Sequence, residues 1–365
     1  MNRQAPMVLL HVFSTFRVGG PQMRFAALAN HFGSKYRHII VAMDNAFDAR
    51  SRLDPGLDVQ FLPVAVRKGE MLANRNLFRR LLRELKPDLL VTYNWGSIEW
   101  GIANWPALLR HVHIEDGFGP EEASGQLLRR VLTRRLVLAH TTMVMPSRTL
   151  ERIARDIWKL SPARLCYIPN GIDCDRFVAP DIVPYPLTGE GPVIGTVAAL
   201  RKEKNLPRLL EAFALVRRER PCRLVIAGDG PVREQLDADV ARLKLAGDVT
   251  FTGAIAETER VYAALDIFAL SSGTEQMPLS VIEAMAAGLP VASTDVGDVR
   301  VMLAKENGPF LTAKDTQALA GSLQALLADP TLRKSVGKAN QRVAREKFTF
   351  QTMARAYDAL FRGAL

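Results

Sequence analysis

Glu275 and Glu283 stand eight positions apart, the first on a stretch of small residues and the second inside a short, almost wholly apolar segment. From Pro278 the chain reads Pro-Leu-Ser-Val-Ile-Glu-Ala-Met-Ala-Ala-Gly, with proline suited to the first helical position and Gly288 to the stop. Such a helix is buried on most sides. A carboxylate inside it needs a partner, because an unpaired buried charge costs several kcal/mol, yet no Lys or Arg lies within one or two turns. Glu275 precedes the helix on a loop that follows the apolar run ending at Leu270. Strand, loop with a Glu, helix N-terminus, second Glu: this order aims free backbone N–H groups at one spot and brackets it with two acceptors of hydroxyl protons. The spot suits an anion carrying sugars, since phosphate favours a helix N-terminus and carboxylates bind ribose or hexose hydroxyls. The alternative is a buried helix whose glutamate caps a neighbouring loop.

Other candidates sit where apolar runs end. Gly19-Gly20 follows the run Met7–Phe13 and precedes a helical pattern to Phe32; it would let backbone approach a phosphate without a Cβ, or serve only as a turn. His113, Glu115 and Asp116 close the run that starts at Arg110, and ligands of open α/β sheets bind beyond the carboxyl ends of strands. These three are therefore acceptor-side candidates, against the reading of a loop-capping Asp and a core His. Lys204 and Arg201 lie on a charged loop after the run Val193–Ala198, and Gly228-Asp229-Gly230 follows Arg223–Ala227. Asp173 and Asp175 have metal-binding spacing but sit at a linker without strand context, and Asp237 and Asp239 point in different directions on a helix, so no metal site is expected.

The elements that must position these residues alternate along the whole chain. Runs at 7–13, 38–43, 59–63 and 88–92, and again at 193–198 and 223–227, are separated by helical patterns, which argues for parallel strands with helical crossovers and an α/β, doubly wound architecture. At 365 residues the chain is long for one core and comfortable for two domains. Pro180–Pro192 is rich in Pro and Gly, as a linker would be. No run approaches the length of a spanning helix. Met7–Leu10 is too short for a secretory signal, and three cysteines without metal spacing fit a reducing cytoplasm.

Charge is unevenly placed: residues 1–180 carry 25 Lys+Arg against 16 Asp+Glu, a balance of +9, and the remainder is near neutral at +1. Much of the excess lies in the helical segments 67–86 and 127–138, where Arg alternates with Leu. A basic amphipathic face reads as docking to an anionic membrane surface, or as arginines solvating the outside of a packed helix. No nucleic-acid module or stacking cluster accompanies the charge, so nucleic acid is not an expected partner.

The stretch Ser-Ser-Gly-Thr-Glu275-Gln-Met-Pro-Leu-Ser-Val-Ile-Glu283-Ala-Met-Ala-Ala-Gly-Leu-Pro-Val-Ala resembles the signature of the retaining glycosyltransferases of family 4. The resemblance implies the GT-B fold: two Rossmann-like domains facing each other across a cleft, here 1–178 with a C-terminal helix 350–365 crossing back, and 179–349. It implies that Glu275 contacts the donor sugar and Glu283 the ribose, that Glu203-Lys204-Asn205 brings Lys204 to the donor diphosphate, and that Gly19 and Gly20 face the cleft. Gly228, Asp229 and Ile255 would line the nucleotide, with Gln276, Met277, Pro278 and Leu279 on the donor loop. The family's usual Arg is absent, Ala199 standing in its place, and Arg201 is the substitute on offer. Relatives put a His at the end of the strand where Asp116 stands, which makes Asp116 a catalytic candidate beside Glu275 and Lys204, with His113 and Glu115 on the acceptor side. The implied activity is metal-independent transfer, with retention, of a sugar from a UDP- or GDP-linked donor to a glycan or lipid-linked hydroxyl in cell-envelope biosynthesis, with no cofactor. The cysteine usage and the basic face set the expected location as the cytoplasm, either free or peripheral at the cytoplasmic face of the inner membrane. Another GT-B enzyme, such as an epimerase, and a non-catalytic sugar-nucleotide binding protein are the alternatives.

Overall fold

The computed structural model describes residues 5–67, 69–118, 122 and 125–365. The chain forms two compact units, Met1–Ile168 with Ala354–Leu365, and Pro169–Met353. The stretch 180–192, which the sequence offers as a linker, lies inside the second unit. There Tyr185 N–H bonds to Arg260 O (2.8 Å) and Arg260 Nε to Val183 O (3.0 Å), so its prolines follow the surface of a domain.

In the first unit β1 (Met7–Phe13), β2 (Tyr36–Ala42), β3 (Val59–Phe61), β4 (Leu89–Tyr93), β5 (His111–Ile114), β6 (Thr142–Met145) and β7 (Leu165–Tyr167) form one sheet in the order 3-2-1-4-5-6-7. Every pairing in it is parallel. The helices are α1 (Gly20–Phe32), α2 (Met71–Leu85), α3 (Ile98–Ala103), α4 (Leu128–Val137) and α5 (Arg148–Asp156). A sheet covered on both faces needs strands without a polar side, which is why β4 is buried at all five positions.

Residues 354–365 complete this unit: Tyr36 Oη donates to Asp358 Oδ1 (2.6 Å), Lys35 pairs with the same carboxylate, and Phe361 meets the Tyr36 ring edge-on.

The polar side chains inside this sheet are largely histidines. His11 bonds through Nδ1 to Tyr93 Oη (3.0 Å) and through Nε2 to His38 Nδ1 (3.1 Å), and His111 lies between Thr92 Oγ1 (2.7 Å) and Thr141 Oγ1 (3.0 Å). Burial pushes His38 down to about 4 and His111 to about 3, and lowers His11 as well. Each stays neutral in the fold but takes up a proton when the chain unfolds below the ordinary histidine value near 6.5. Their contribution is therefore complete above about pH 6.5 and declines, at about 1.4 kcal/mol per pH unit for each histidine, as pH falls toward the folded values. Urea midpoints measured between about pH 7 and pH 5 should fall across that window; a flat profile would contradict the buried network.

In the second unit β8 (Val193–Val197), β9 (Arg223–Ala227), β10 (Val249–Gly253), β11 (Ile267–Leu270), β12 (Val291–Thr294) and β13 (Leu311–Thr312) form a parallel sheet in the order 10-9-8-11-12-13. Its helices are α6 (Leu206–Glu219), α7 (Arg233–Arg242), α8 (Thr258–Ala263), α9 (Leu279–Ala286), α10 (Val299–Met302), α11 (Thr316–Ala328) and α12 (Pro330–Lys347), and α13 (Phe350–Arg362) follows. Two buried apolar clusters, one built on α6 and α11 and the other on α8 and α9, cover the faces of the sheet. Among the described residues no helix is long and apolar enough to cross a membrane.

Candidate active site

Strand order in the second sheet reverses between β8 and β11, which lie side by side. Connections leaving their carboxyl ends diverge there and open a crevice, the usual ligand position in such sheets. Lys204 ends the 3-10 turn Lys202–Lys204 beyond β8, and Glu275 lies on the loop beyond β11. The structure brings them together: Lys204 Nζ donates to Glu275 Oε1 at 2.6 Å and Ser272 Oγ to the same oxygen at 2.7 Å. The side chains keep 21% and 10% of their exposure, so this is a desolvated but reachable charge pair.

Both loops are held by backbone. Ser271 Oγ donates to Lys204 O (2.9 Å), Gly273 N–H to Glu203 O (2.7 Å) and Arg208 Nη1 to Ser271 O (2.8 Å). Asn205 has φ 43°, a left-handed position suited to Asn or Gly. On the other side Asp298 N–H bonds to Gln276 O (2.9 Å), and a Cβ on Gly297 (φ 54°) would strike Glu275 O. Glu275 is thus fixed by its neighbours before any ligand arrives.

α9 follows directly. Pro278 is its N-cap, one position earlier than the sequence placed it, and Leu279 is the first helical residue. No side chain caps the first turn among the described residues. Val281, Ile282, Ala284, Met285 and Ala286 are fully buried and Glu283 half-buried. Burial raises the Glu283 carboxyl; a hydrogen bond from Tyr262 and the field of Arg176 oppose that rise. Tyr262 Oη, on α8, donates to Glu283 Oε2 at 2.7 Å. The partner that the helix itself lacks is thus a hydroxyl 21 positions upstream, and it occupies one carboxylate oxygen. If Glu283 binds a ribose, Tyr262→Phe should weaken nucleoside diphosphate binding about tenfold, the worth of one hydrogen bond to a charged group, while leaving a 2′,3′-dideoxy analogue unaffected; calorimetry with both ligands checks this.

The remaining donor-side candidates distribute around this pair. Met277 and Pro278 are buried, Gln276 is half-buried and Leu279 is exposed. Ile255 packs half-buried against the α8–α9 cluster. Gly228 has φ 136°, and a Cβ there would overlap Ala198 O, so close approach of two loops accounts for that glycine. Asp229 is exposed and its Oδ1 takes Gly230 N–H (2.7 Å). Arg201 is exposed, and so is Ala199 beside it. Asp173 and Asp175 are used locally, Asp173 Oδ1 accepting Asp175 N–H (3.1 Å) and Asp175 pairing with Arg345 (2.7 Å).

In the first unit the order reverses between β1 and β4. Gly19 is the N-cap of α1 and Gly20 its first residue, so the glycine pair opens the helix instead of preceding it. A Cβ on Gly19 would press on Gln22 Oε1, whose amide reaches back to Thr15 O (2.8 Å), while Gly20 faces open space. Asp116 meets Arg24 in a two-pronged pair, Nη1 to Oδ1 at 2.6 Å and Nη2 to Oδ2 at 2.9 Å, and its N–H bonds to Asn94 Oδ1 (2.7 Å). Asp116 therefore does not offer a bare carboxylate; it comes with a guanidinium that the sequence, 92 residues away, gave no sign of.

His113 and Glu115 depart from expectation. Both are wholly buried. His113 Nδ1 bonds to Thr92 Oγ1 (2.7 Å) and its Nε2 lies 3.6 Å from Glu115 Oε2, which is 3.7 Å from Arg134 Nε. β5 is buried at all four positions because the sheet is covered on both faces, and of the three residues Asp116 is the one with an exposed edge.

Two family profiles match the chain: "Glycosyltransferase Family 4" over residues 18–176 and "Glycosyl transferases group 1" over residues 181–343. Among curated relatives, the alpha-monoglucosyldiacylglycerol synthase of Streptococcus pneumoniae is 28% identical over 271 residues, 70% of this chain and 57% of that protein. The chain spans little more than half the length of the first curated relatives it matches. Among solved structures, a glycosyltransferase from Rickettsia africae superposes with a TM-score of 0.83 at 17% identity, covering 99% of both chains, and Anabaena HepE, solved with UDP-glucose, with a TM-score of 0.76 at 19% identity, covering 97% of this chain and 99% of that one. With both halves matched by glycosyltransferase profiles and two parallel Rossmann-like units in place, the chain belongs to the group 1 glycosyltransferases of GT-B fold.

Proposed function

We propose that the protein transfers a sugar, with retention of configuration, from a nucleoside diphosphate to a hydroxyl of a glycan or lipid-linked acceptor in cell-envelope biosynthesis. The observation that carries this reading is the Lys204–Glu275 pair at the carboxyl edge of the second sheet, on the loop that leads into the uncapped start of α9, the helix of Glu283. Lys204, with Arg201 in support, meets the diphosphate; Glu275 exchanges its lysine contact for sugar hydroxyls; Glu283, with Oε2 held by Tyr262, keeps its other oxygen for the ribose. In the transfer step the bond from the anomeric carbon to the diphosphate oxygen breaks, its electrons passing to the phosphate. The acceptor oxygen bonds to that carbon on the same face, and its proton goes to the departing phosphate oxygen. Preorganised donors aimed at the developing charge lower this barrier, and neither a metal nor a protein nucleophile is assigned a step. UDP is the proposed nucleotide, by likeness to Anabaena HepE, and a diacylglycerol-type or lipopolysaccharide acceptor follows the names of the relatives. Work on such acceptors places the enzyme at the cytoplasmic face of the membrane in this proposal.

Calorimetry with UDP and GDP, followed by turnover with UDP-sugars, tests the reading. UDP binding, together with turnover that Lys204→Ala and Glu275→Gln each lower by about 10²-fold or more, supports it. Tight binding without turnover on any acceptor would instead favour a sugar-nucleotide binding protein, for which exposed Ala199 in place of the usual Arg is the pertinent observation.

A further inference from the structure

α1 packs Phe25, Ala26, Leu28 and Ala29 inward, and Arg24, one turn before Leu28, is turned inward with them. Its side chain is 9% exposed and lies over the ring of Tyr357 at 5.9 Å, while its partner Asp116, just beyond β5, is the more open of the two at 17%. A guanidinium so placed must be paired, and the pair alone would serve stability. Two further observations concern the carboxylate.

Asp116 N–H is taken by Asn94 Oδ1, and Asn94 has φ 56° and ψ 178°, a combination that a residue with a side chain adopts rarely and at a cost. Two positions on, a Cβ at Gly96 would strike the Ser14 side chain, so the loops leaving β4 and β1 touch where strand order reverses. Strain of this kind persists where the surroundings fix a site. Here it fixes the backbone of Asp116, and the two-pronged pair fixes the side chain. The fork also narrows what that carboxylate can do. Each of its oxygens has two lone pairs, and Arg24 takes one on each, so each keeps one for a hydroxyl. Protonating Asp116 would break one arm of the fork; it therefore keeps its charge and carries no proton.

We propose that Arg24 is a positioning residue of the transfer reaction, holding Asp116 as a fixed, ionised hydrogen-bond acceptor for a hydroxyl of the acceptor next to the reacting one. The reacting hydroxyl keeps its own proton for the departing phosphate oxygen, so the acceptor must carry a second hydroxyl: a sugar ring and not a lone alcohol. This deepens the transferase reading above and rests on it.

Initial rates with UDP-sugars test it on dioctanoylglycerol, which has one hydroxyl, and on octyl glucoside, octyl galactoside and octyl mannoside, which have several. The wild type should glycosylate an octyl glycoside and leave dioctanoylglycerol untouched. Arg24→Met and Asp116→Asn should each lower kcat/KM for that glycoside by about 10- to 100-fold, the worth of a hydrogen bond to a charged group, while the UDP-sugar KM and the calorimetric Kd for UDP stay as in the wild type. Arg24→Lys, which keeps the charge without the fork, should fall between. Arg24→Asp combined with Asp116→Arg restores an ion pair, so thermal unfolding should return toward wild type; the glycoside rate should not, because arginine accepts no hydrogen bond. Recovery of both stability and rate in that double variant would make the pair structural alone. Equal use of dioctanoylglycerol would show that no second hydroxyl is read, and an Asp116→Asn loss confined to kcat and above about 10⁴-fold would make Asp116 a base. Each of these overturns the proposal and leaves the transferase reading standing, whereas UDP binding without glycosylation of any of these acceptors removes both.

Discussion

Replacing Lys204 by alanine will lower turnover by at least about 10²-fold, the loss seen when one preorganised charge donor is removed from a developing anion. The effect belongs mainly to kcat, because the diphosphate gains charge only as the sugar leaves. The structure makes the companion variant informative. Glu275 shares one oxygen between Lys204 and Ser272, so Glu275→Gln retains a carbonyl for the serine while losing the ion pair. Lys204→Ala leaves a carboxylate that is only 10% exposed with a serine as its remaining partner, and should destabilise the free protein by about 1–3 kcal/mol. Glu275→Gln should leave the fold nearly unchanged yet reduce turnover by a similar factor of about 10²–10³. Initial rates with a UDP-sugar and thermal unfolding of the free variants separate the two effects; full activity of either variant would remove the pair from the chemistry.

The largest loss of stability will come from Arg134→Ala. Arg134 is wholly buried, bonds through both Nη atoms to Glu122 (3.0 and 2.9 Å), and lies over the rings of Trp95, Phe118 and Trp158 at 5.0, 5.4 and 4.8 Å. Its removal leaves Glu122 with Arg130 as its remaining guanidinium and takes a cation from Glu115, neither of whose carboxylate oxygens has a hydrogen-bond partner among the described residues. Breaking a buried pair from one side costs about 3–5 kcal/mol, whereas replacing all its members by apolar groups can be neutral. Arg134→Met combined with Arg130→Met, Glu122→Leu and Glu115→Leu should therefore recover much of the loss, since Arg130 pairs with Glu122 as well. Urea denaturation of the single and quadruple variants measures both, and a single variant as stable as wild type would show that the Arg134 guanidinium is not what Glu122 and Glu115 depend on.

Most of this architecture was written in local pattern. The strand Met7–Phe13 is where the apolar run puts it, and α6 (Leu206–Glu219) and α13 (Phe350–Arg362) lie within a few residues of their periodic segments. Lys204 and Glu275 could be named because each sits in a contiguous motif beside a strand end, and the reversal of strand order then had only one place to bring them. Long-range polar partners were not legible. Arg24 meets Asp116 across 92 positions, and Tyr262 reaches Glu283 from another helix; no period or motif connects either pair. α4 shows the limit most plainly. Its repeat of Arg and Leu fixed a two-faced helix, but which face turned inward was decided by Glu122, Trp95 and Trp158, and the rule that leucine goes inside gave the wrong side. His113 and Glu115 lie wholly buried because this sheet is covered on both faces, which a position near a strand end does not reveal.

Residues 354–365 complete the first unit, supplying Asp358 to Tyr36 and Lys35 and the ring of Phe361 to Tyr36 at the start of β2. On the ribosome, the amino-terminal segment must therefore wait through the synthesis of an entire second domain with Tyr36 and its neighbours uncovered. The later-made domain, continuous in sequence, can close first. A chain truncated before Ala354 and released should hence hold a finished second domain and an unfinished partner, the natural client of a holding chaperone.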